Sequence, residues 1–201
     1  HRLFGRRVND VLSRALAYTI GKLDNKDVEI GITDNGFYLS YTGKIQLNKV
    51  LLALKSQDLY NIMNNAIDKT EVLKRRFRHC AIRSLMILRT YKGRVKMVGR
   101  QQASSTILLN AVKKLGENFP ILKEARREVL EDVMDINNSI IVLNDIEKGK
   151  IKLKEVFTVL PSPFAFSIVL EGYTDVMKIE DKITFLRNMH NKIIAKIGHV
   201  V

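Results

Sequence analysis

Arg75, Arg76, Arg78, His79, Arg83 and Arg89 fall on one side of a single helical stretch when successive residues are placed about 100° apart. Guanidinium groups spaced in this way are suited above all to holding phosphate oxygens, through forked N–H donors and a charge that ordinary pH does not remove. Lys92, Arg94 and Lys96 follow, and then Arg100 with Gln101 and Gln102. Gly93 and Gly99 stand among them, where backbone could approach a ligand closely. From Val72 to Gly116 the chain runs 45 residues without Asp or Glu and places 12 Lys and Arg there, besides His79. The whole chain of 201 residues carries 34 basic and 21 acidic residues, a net +13, so outside this stretch 22 bases face 21 acids. Crowded like charge destabilises a compact state, whereas a polyanion lined by phosphates rewards it. The expected partner is therefore a single-stranded or partly duplex nucleic acid. Arginines would hold its phosphates, with Ile82 and Met86, inside the basic face, against sugars or bases. The competing reading is a solvated face on which Ile82 and Met86 pack against a neighbour, although such faces usually mix signs and this one does not.

Smaller signals carry alternatives of their own. Arg6 and Arg7 open the first helix, where positive charge opposes the helix dipole, so either an anion or a carboxylate such as Asp10 is expected beside them. Gln101 and Gln102 could read base edges or cap the helix that follows. Tyr91 could stack on a base or be half-buried packing. His79 lies between arginines that disfavour its protonated form, which gives a catalytic role little support. Glu124, Glu128, Glu131, Asp132 and Asp135 could hold a nuclease metal, but interleaved with Arg126 and Arg127 at helical spacing they read better as ion pairs.

Other chemistry finds no foothold. No glycine-rich phosphate loop with Lys-Ser or Lys-Thr and no His-Glu-x-x-His pattern occurs, so no ATP site, catalytic residue or metal site is assigned to this chain. Cys80 is the single cysteine, which rules out an internal disulfide. No apolar run nears the roughly 20 residues a membrane span needs, and no signal peptide is recognisable, so a soluble cytoplasmic protein without a membrane partner is expected. His1 in place of Met suggests a piece of something longer.

The elements that must position these residues are mostly helical. Val8, Leu12, Ala15, Leu16, Ile20 and Leu23 share one face of a first helix. Val28–Ile32 and Phe37–Tyr41 flank Asn35-Gly36 and predict a hairpin with positive backbone angles at its turn. Helices are expected at 47–55, after the caps Ser56 and Asp58, and then over 69–90, the last carrying Leu73, Phe77, Cys80, Ala81, Ser84, Leu85 and Leu88 inward. Alternation between Gly93 and Gly99 predicts a half-buried strand or a loop. Helices follow over 107–115, stopped by Gly116, from Pro120 to about Asp135, and over 138–148, ended by Gly149. Ile151, Leu153, Phe157 and Val159 suggest a strand, Ser162-Pro163 a helix start, and 179–197 a last helix. The chain is expected to be one α+β domain over 1–201, mostly helical with a β-hairpin and a few further short strands.

Several stretches together resemble a known family: residues 1–10 with Leu12 and 13–17, Arg75-Arg76-Phe77-Arg78-His79-Cys80-Ala81, Tyr91-Lys92-Gly93, Gly99-Arg100-Gln101-Gln102, Pro161-Ser162-Pro163-Phe164-Ala165 and Leu170-Glu171-Gly172-Tyr173-Thr174-Asp175. In order and spacing they are similar to archaeal Lhr-type superfamily 2 helicases, in the domain after the two motor domains and the winged helix. The resemblance implies that ATP and magnesium belong to the motor domains and that this part helps form the channel for a tracked strand, DNA more readily than RNA. It also implies the motor and winged-helix domains of the same polypeptide as partners. No exact contact carries over to Arg75, Arg76, Arg78, His79 or Arg100. The chain departs from the family in lacking the motor and any Trp, so activity of this part alone is not expected. The other reading of the basic face is a docking platform for the motor domains or an acidic partner.

Overall fold

The structure, a computed structural model, describes residues 4–24, 27–41, 47–95, 97–156, 165–172 and 179–197. Nine α-helices, one π-helical stretch and two short hairpins make up these residues, a mostly helical α+β fold. Helix α1 (Arg6–Asp24) lies at the centre of one half. Its buried stripe of Val8, Val11, Leu12, Ala15, Leu16 and Ile20 has the period that the sequence predicts, whereas Leu23 is exposed. Strands β1 (Glu29–Thr33) and β2 (Gly36–Ser40), α2 (Leu47–Ala53), α3 (Leu59–Ile67) and α7 (Ile136–Glu147) pack around it. Helix α8 (Phe166–Gly172) rests on the hairpin, and α9 (Ile179–Ile197) is the long last helix.

The first hairpin turns one residue earlier than expected. Thr33 pairs with Gly36, leaving Asp34 and Asn35 as the turn, and neither they nor Gly36 takes a positive φ. Buried Asn9 supplies the reason, because its side-chain amide donates to the carbonyls of Thr33 (3.0 Å) and Asp34 (3.1 Å) and fixes the turn against α1. Across the same hairpin Gly31 faces Tyr38, and a Cβ on Gly31 would lie 1.7 Å from the ring carbon Cε1. Only glycine leaves room for that ring.

Helix α4 (Glu71–Arg83) is the centre of the other half, packed on α5 (Val98–Leu115), α6 (Pro120–Arg127) and the π-helical stretch Glu128–Val133. Thr70 caps it, accepting from the Leu73 N–H at 3.4 Å, and Leu73, Phe77, Cys80 and Ala81 are buried as expected. The helix stops at Arg83 rather than Thr90. Leu85 takes a φ of +61°, and the Ile87 N–H folds back on the Ala81 carbonyl at 3.0 Å, which turns Ile87 into the core. Ser84, Leu85 and Leu88, expected inside, are consequently exposed.

The expected half-buried strand shrinks to β4 (Arg94–Val95), exposed at both residues and paired with β3 (Thr90–Tyr91). Lys92 and Gly93 form its turn with φ of +49° and +74°, the doubly positive geometry that suits a two-residue hairpin loop. Gly99 lies inside α5, so that helix begins well before Ile107. Gly116 (φ +122°) and Gly149 (φ +71°) end their helices as predicted, and Asp135 caps α7 through the Asn138 N–H at 3.1 Å. Asp58 makes no side-chain cap, and Ser56 instead donates through its N–H (2.7 Å) and hydroxyl (3.1 Å) to Glu147 at the far end of α7. Residues 152–156 form no strand, while Phe157, Val159 and Ser162-Pro163 lie outside the described residues. No described helix is long and apolar enough to cross a membrane.

Asp68, in the turn before α4, ties the second half together. Its carboxylate accepts from Lys113 (2.8 Å) and Arg126 (3.1 Å), and Lys113 also donates to its carbonyl (2.7 Å). Burial pushes the Asp68 carboxyl up, but the hydrogen bonds and charges of Lys113 and Arg126 outweigh it and hold the pKa below the ordinary value. A lowered folded-state pKa contributes stability that is present above the unfolded value and lost as pH falls through the folded one. The stability gap between the parent and Asp68→Asn, read from urea melts, is thus expected to be full at neutral pH and to close below about pH 4.

Candidate nucleic-acid interface

The arginines of the acid-free segment separate into two groups according to what faces them. Arg76 and Arg83 look toward the π-helical stretch, where Glu128 is buried. Arg83 donates to one oxygen of that carboxylate and also to the Cys80 sulfur at 3.2 Å, while Arg76 lies 3.8 Å from the other oxygen. The sequence predicts phosphate for both, and the fold supplies the two with one shared internal carboxylate. The carboxylate arrives from 45 residues away in the sequence and leaves the segment itself free of acids. Arg83 keeps 59% of its side chain exposed and Arg76 39%. Glu128→Gln would remove the shared counter-charge. It is expected to lower the urea midpoint and to raise the salt slope of oligonucleotide binding by about 0.7 for each arginine released.

The second group has no carboxylate partner among the described residues: Arg75, Arg78, Arg89, Arg94 and Arg100. Arg75 and Arg78 line a groove of about 330 Å³ between α4 and α5, with Glu71, Lys74, Gln102, Ser105 and Thr106. Glu71 is taken by Lys74 at 2.7 Å. Arg89 is exposed just past the end of α4, Arg94 is exposed on β4, and Lys92 is exposed at the hairpin turn. Arg100, Gln101 and Gln102 lie in the first turns of α5 rather than in a loop, and the cap residue Met97 makes no side-chain bond. Gln101 is half-buried, and Arg100 and Gln102 are exposed. Lys96 lies outside the described residues, as does the side chain of Tyr91.

His79 is half-buried on the same helix, and burial first, then Arg78, Arg76, Arg83 and Arg89, pushes its pKa below the ordinary value. The sequence anticipates the direction, but burial outranks the arginines as cause. Burial likewise pushes the Cys80 thiol up. Ile82 packs on the core, in line with the solvated-face reading, and Met86 stays 44% exposed.

Arg6 and Arg7 are both exposed, and Arg7 is also engaged within the fold. It donates to the carbonyls of Glu131 (2.5 Å) and Met134 (2.8 Å), and Asp10 pairs with Arg14 (2.5 Å) instead. The partner of the Arg7 charge is therefore the carbonyl end of the π-helical stretch, not a carboxylate. Among the acidic residues, Glu124, Glu131 and Asp132 surround Arg127 at 2.8, 3.4 and 3.3 Å, and no described cluster of acids or histidines could hold a metal ion. Sequence reasoning missed Ser105, a buried polar residue in the apolar stripe with Leu109 and Val112, and missed the burial of Glu128.

Residues 1–165 match the family profile described as DEAD/H associated. The ATP-dependent helicase Lhr-Core of Methanothermobacter thermautotrophicus is 53% identical over 98% of the chain, and that of Sulfolobus acidocaldarius 47% over 96%. The chain spans only 23% and 22% of those two proteins. A solved structure of the Mycobacterium smegmatis helicase Lhr, bound to ssDNA and AMP-PNP, superposes with a TM-score of 0.70 at 27% identity, over 84% of this chain and 21% of that one. With four-fifths of its length matched by that profile, and near-complete alignment to one segment of much longer helicases, the chain belongs to the DEAD/H associated family in the form found in Lhr-type helicases.

Proposed function

We propose that this chain is the strand-gripping accessory part of an ATP-dependent DNA helicase of the Lhr type. It holds the tracked single strand while ATP and magnesium act in motor domains of the same polypeptide. One observation carries this reading: Arg75, Arg78, Arg89, Arg94 and Arg100 lack carboxylate partners among the described residues, in a fold that supplies partners to Arg14, Arg76, Arg83, Lys113, Arg126 and Arg127. The ssDNA bound to the mycobacterial relative favours DNA over RNA as the strand. The test is a fluorescence anisotropy titration of the chain alone with a labelled single-stranded oligonucleotide over a range of salt. Binding that weakens steeply with salt is expected.

A second reading has its own support. Leu85, Met86, Leu88, Val95, Met97 and Val98, which surround the second hairpin, are all more than 40% exposed. A cluster of exposed apolar side chains marks a docking surface, and the neighbours it suits are the motor and winged-helix domains. No oligonucleotide binding by the chain alone at moderate salt is the outcome that favours docking over gripping.

A further inference from the structure

The groove between α4 and α5 differs from the rest of the basic surface because it has a floor. Arg75 and Arg78, one turn apart on α4, form one wall, and Gln102 and Thr106, also one turn apart on α5, form the other. Between them Ser105 lines the groove although only 4% of the residue is exposed. Its hydroxyl has no hydrogen-bond partner among the described residues, whereas the neighbouring Thr106 hydroxyl donates to the Gln102 carbonyl at 3.0 Å. That hydroxyl opens onto the groove, where it is placed to donate to an acceptor that enters. Glu71 at the rim is neutralised by Lys74, so the groove keeps the charge of its two guanidiniums.

We propose that this groove is a built seat for one phosphodiester of the bound strand. Arg75 and Arg78 neutralise the phosphate, and the Ser105 hydroxyl donates to one of its non-bridging oxygens. A volume near 330 Å³ suits a phosphate with its flanking sugar atoms. The seat fixes the strand's register on the surface without reading its sequence, since phosphate-directed bonds position a nucleic acid and carry no base information. The inference rests on the strand-gripping reading and narrows it to one place.

The experiment uses a labelled oligothymidylate and the intact chain, with affinity measured against salt. Arg75→Gln and Arg78→Gln, both surface changes, are each expected to lower the salt slope by about 0.7. Ser105→Ala removes a donor but no charge, so it is expected to weaken binding roughly 2- to 10-fold and leave the slope unchanged. Unaltered affinity in Ser105→Ala, with Arg75→Gln and Arg78→Gln also unchanged, overturns the seat. If variants of Arg89, Arg94 and Arg100 still weaken binding in that case, the gripping reading survives it; if they do not, both fail. A parallel titration with inorganic phosphate at matched ionic strength separates the source of the anion. Loss of phosphate binding in Ser105→Ala with oligonucleotide affinity intact would assign the groove to a free anion and sink the proposal.

Discussion

Replacing Phe77 by Ala is expected to cost about 3–5 kcal/mol of folding stability, the usual range for deleting a fully enclosed phenyl ring. Phe77 has no exposed surface and sits on the inward stripe of α4 with Leu73, Cys80 and Ala81. That stripe meets α5, α6 and the π-helical stretch together, so no single neighbour can close the void. At a urea dependence of about 1–3 kcal/mol per molar, the midpoint should fall by roughly 1–5 M. Far-UV circular dichroism across a urea series measures it. A midpoint within experimental error of the parent would mean that α4 is not anchored where the fold places it, and every argument about the direction of its arginines would go with it.

The combined change of Arg89, Arg94 and Arg100 to Gln is expected to reduce the salt slope of single-strand binding by about 2, at roughly 0.7 for each phosphate left without its cation. All three are exposed, and none has a carboxylate partner among the described residues, so their removal leaves no buried charge behind and folding stability should hold. The comparison to make is with Arg127→Gln, which removes a cation already ringed by Glu124, Glu131 and Asp132. Because both variants lose positive charge, a general fall in attraction would move them alike. An unchanged slope in the triple variant, or an equal fall per charge in both, would count against strand binding at the hairpin and the start of α5.

The fold was legible wherever one local signal decided an element. The stripe from Val8 to Ile20, the stop at Gly116 and the cap at Gly149 all appear in the structure because helical period and a left-handed glycine suffice there. Legibility failed where a distant group took over. The first turn shifted because Asn9 claims two carbonyls of the hairpin, and α4 ended early because Ile87 finds a place in the core that a continuing helix would deny it. The same holds for the interface. An acid-free segment correctly announced a basic surface, but it could not show that Glu128, far along the chain, faces Arg76 and Arg83. Nor could a run of arginines reveal that Arg7 serves backbone carbonyls. Charge counted along a sequence says nothing of which counter-charges folding will bring to it.

The six residues from Glu128 to Val133 are held at opposite ends by cations from remote parts of the chain. Arg83 and Arg76 grip the first residue through its carboxylate, and Arg7 grips the last turn through the carbonyls of Glu131 and Met134. This short rod of backbone is therefore a tie-bar between the opening turn of α1 and the outer side of α4. The opening turn of α1 and the outer side of α4 thus share one point of attachment, although no carboxylate of α1 takes part in it.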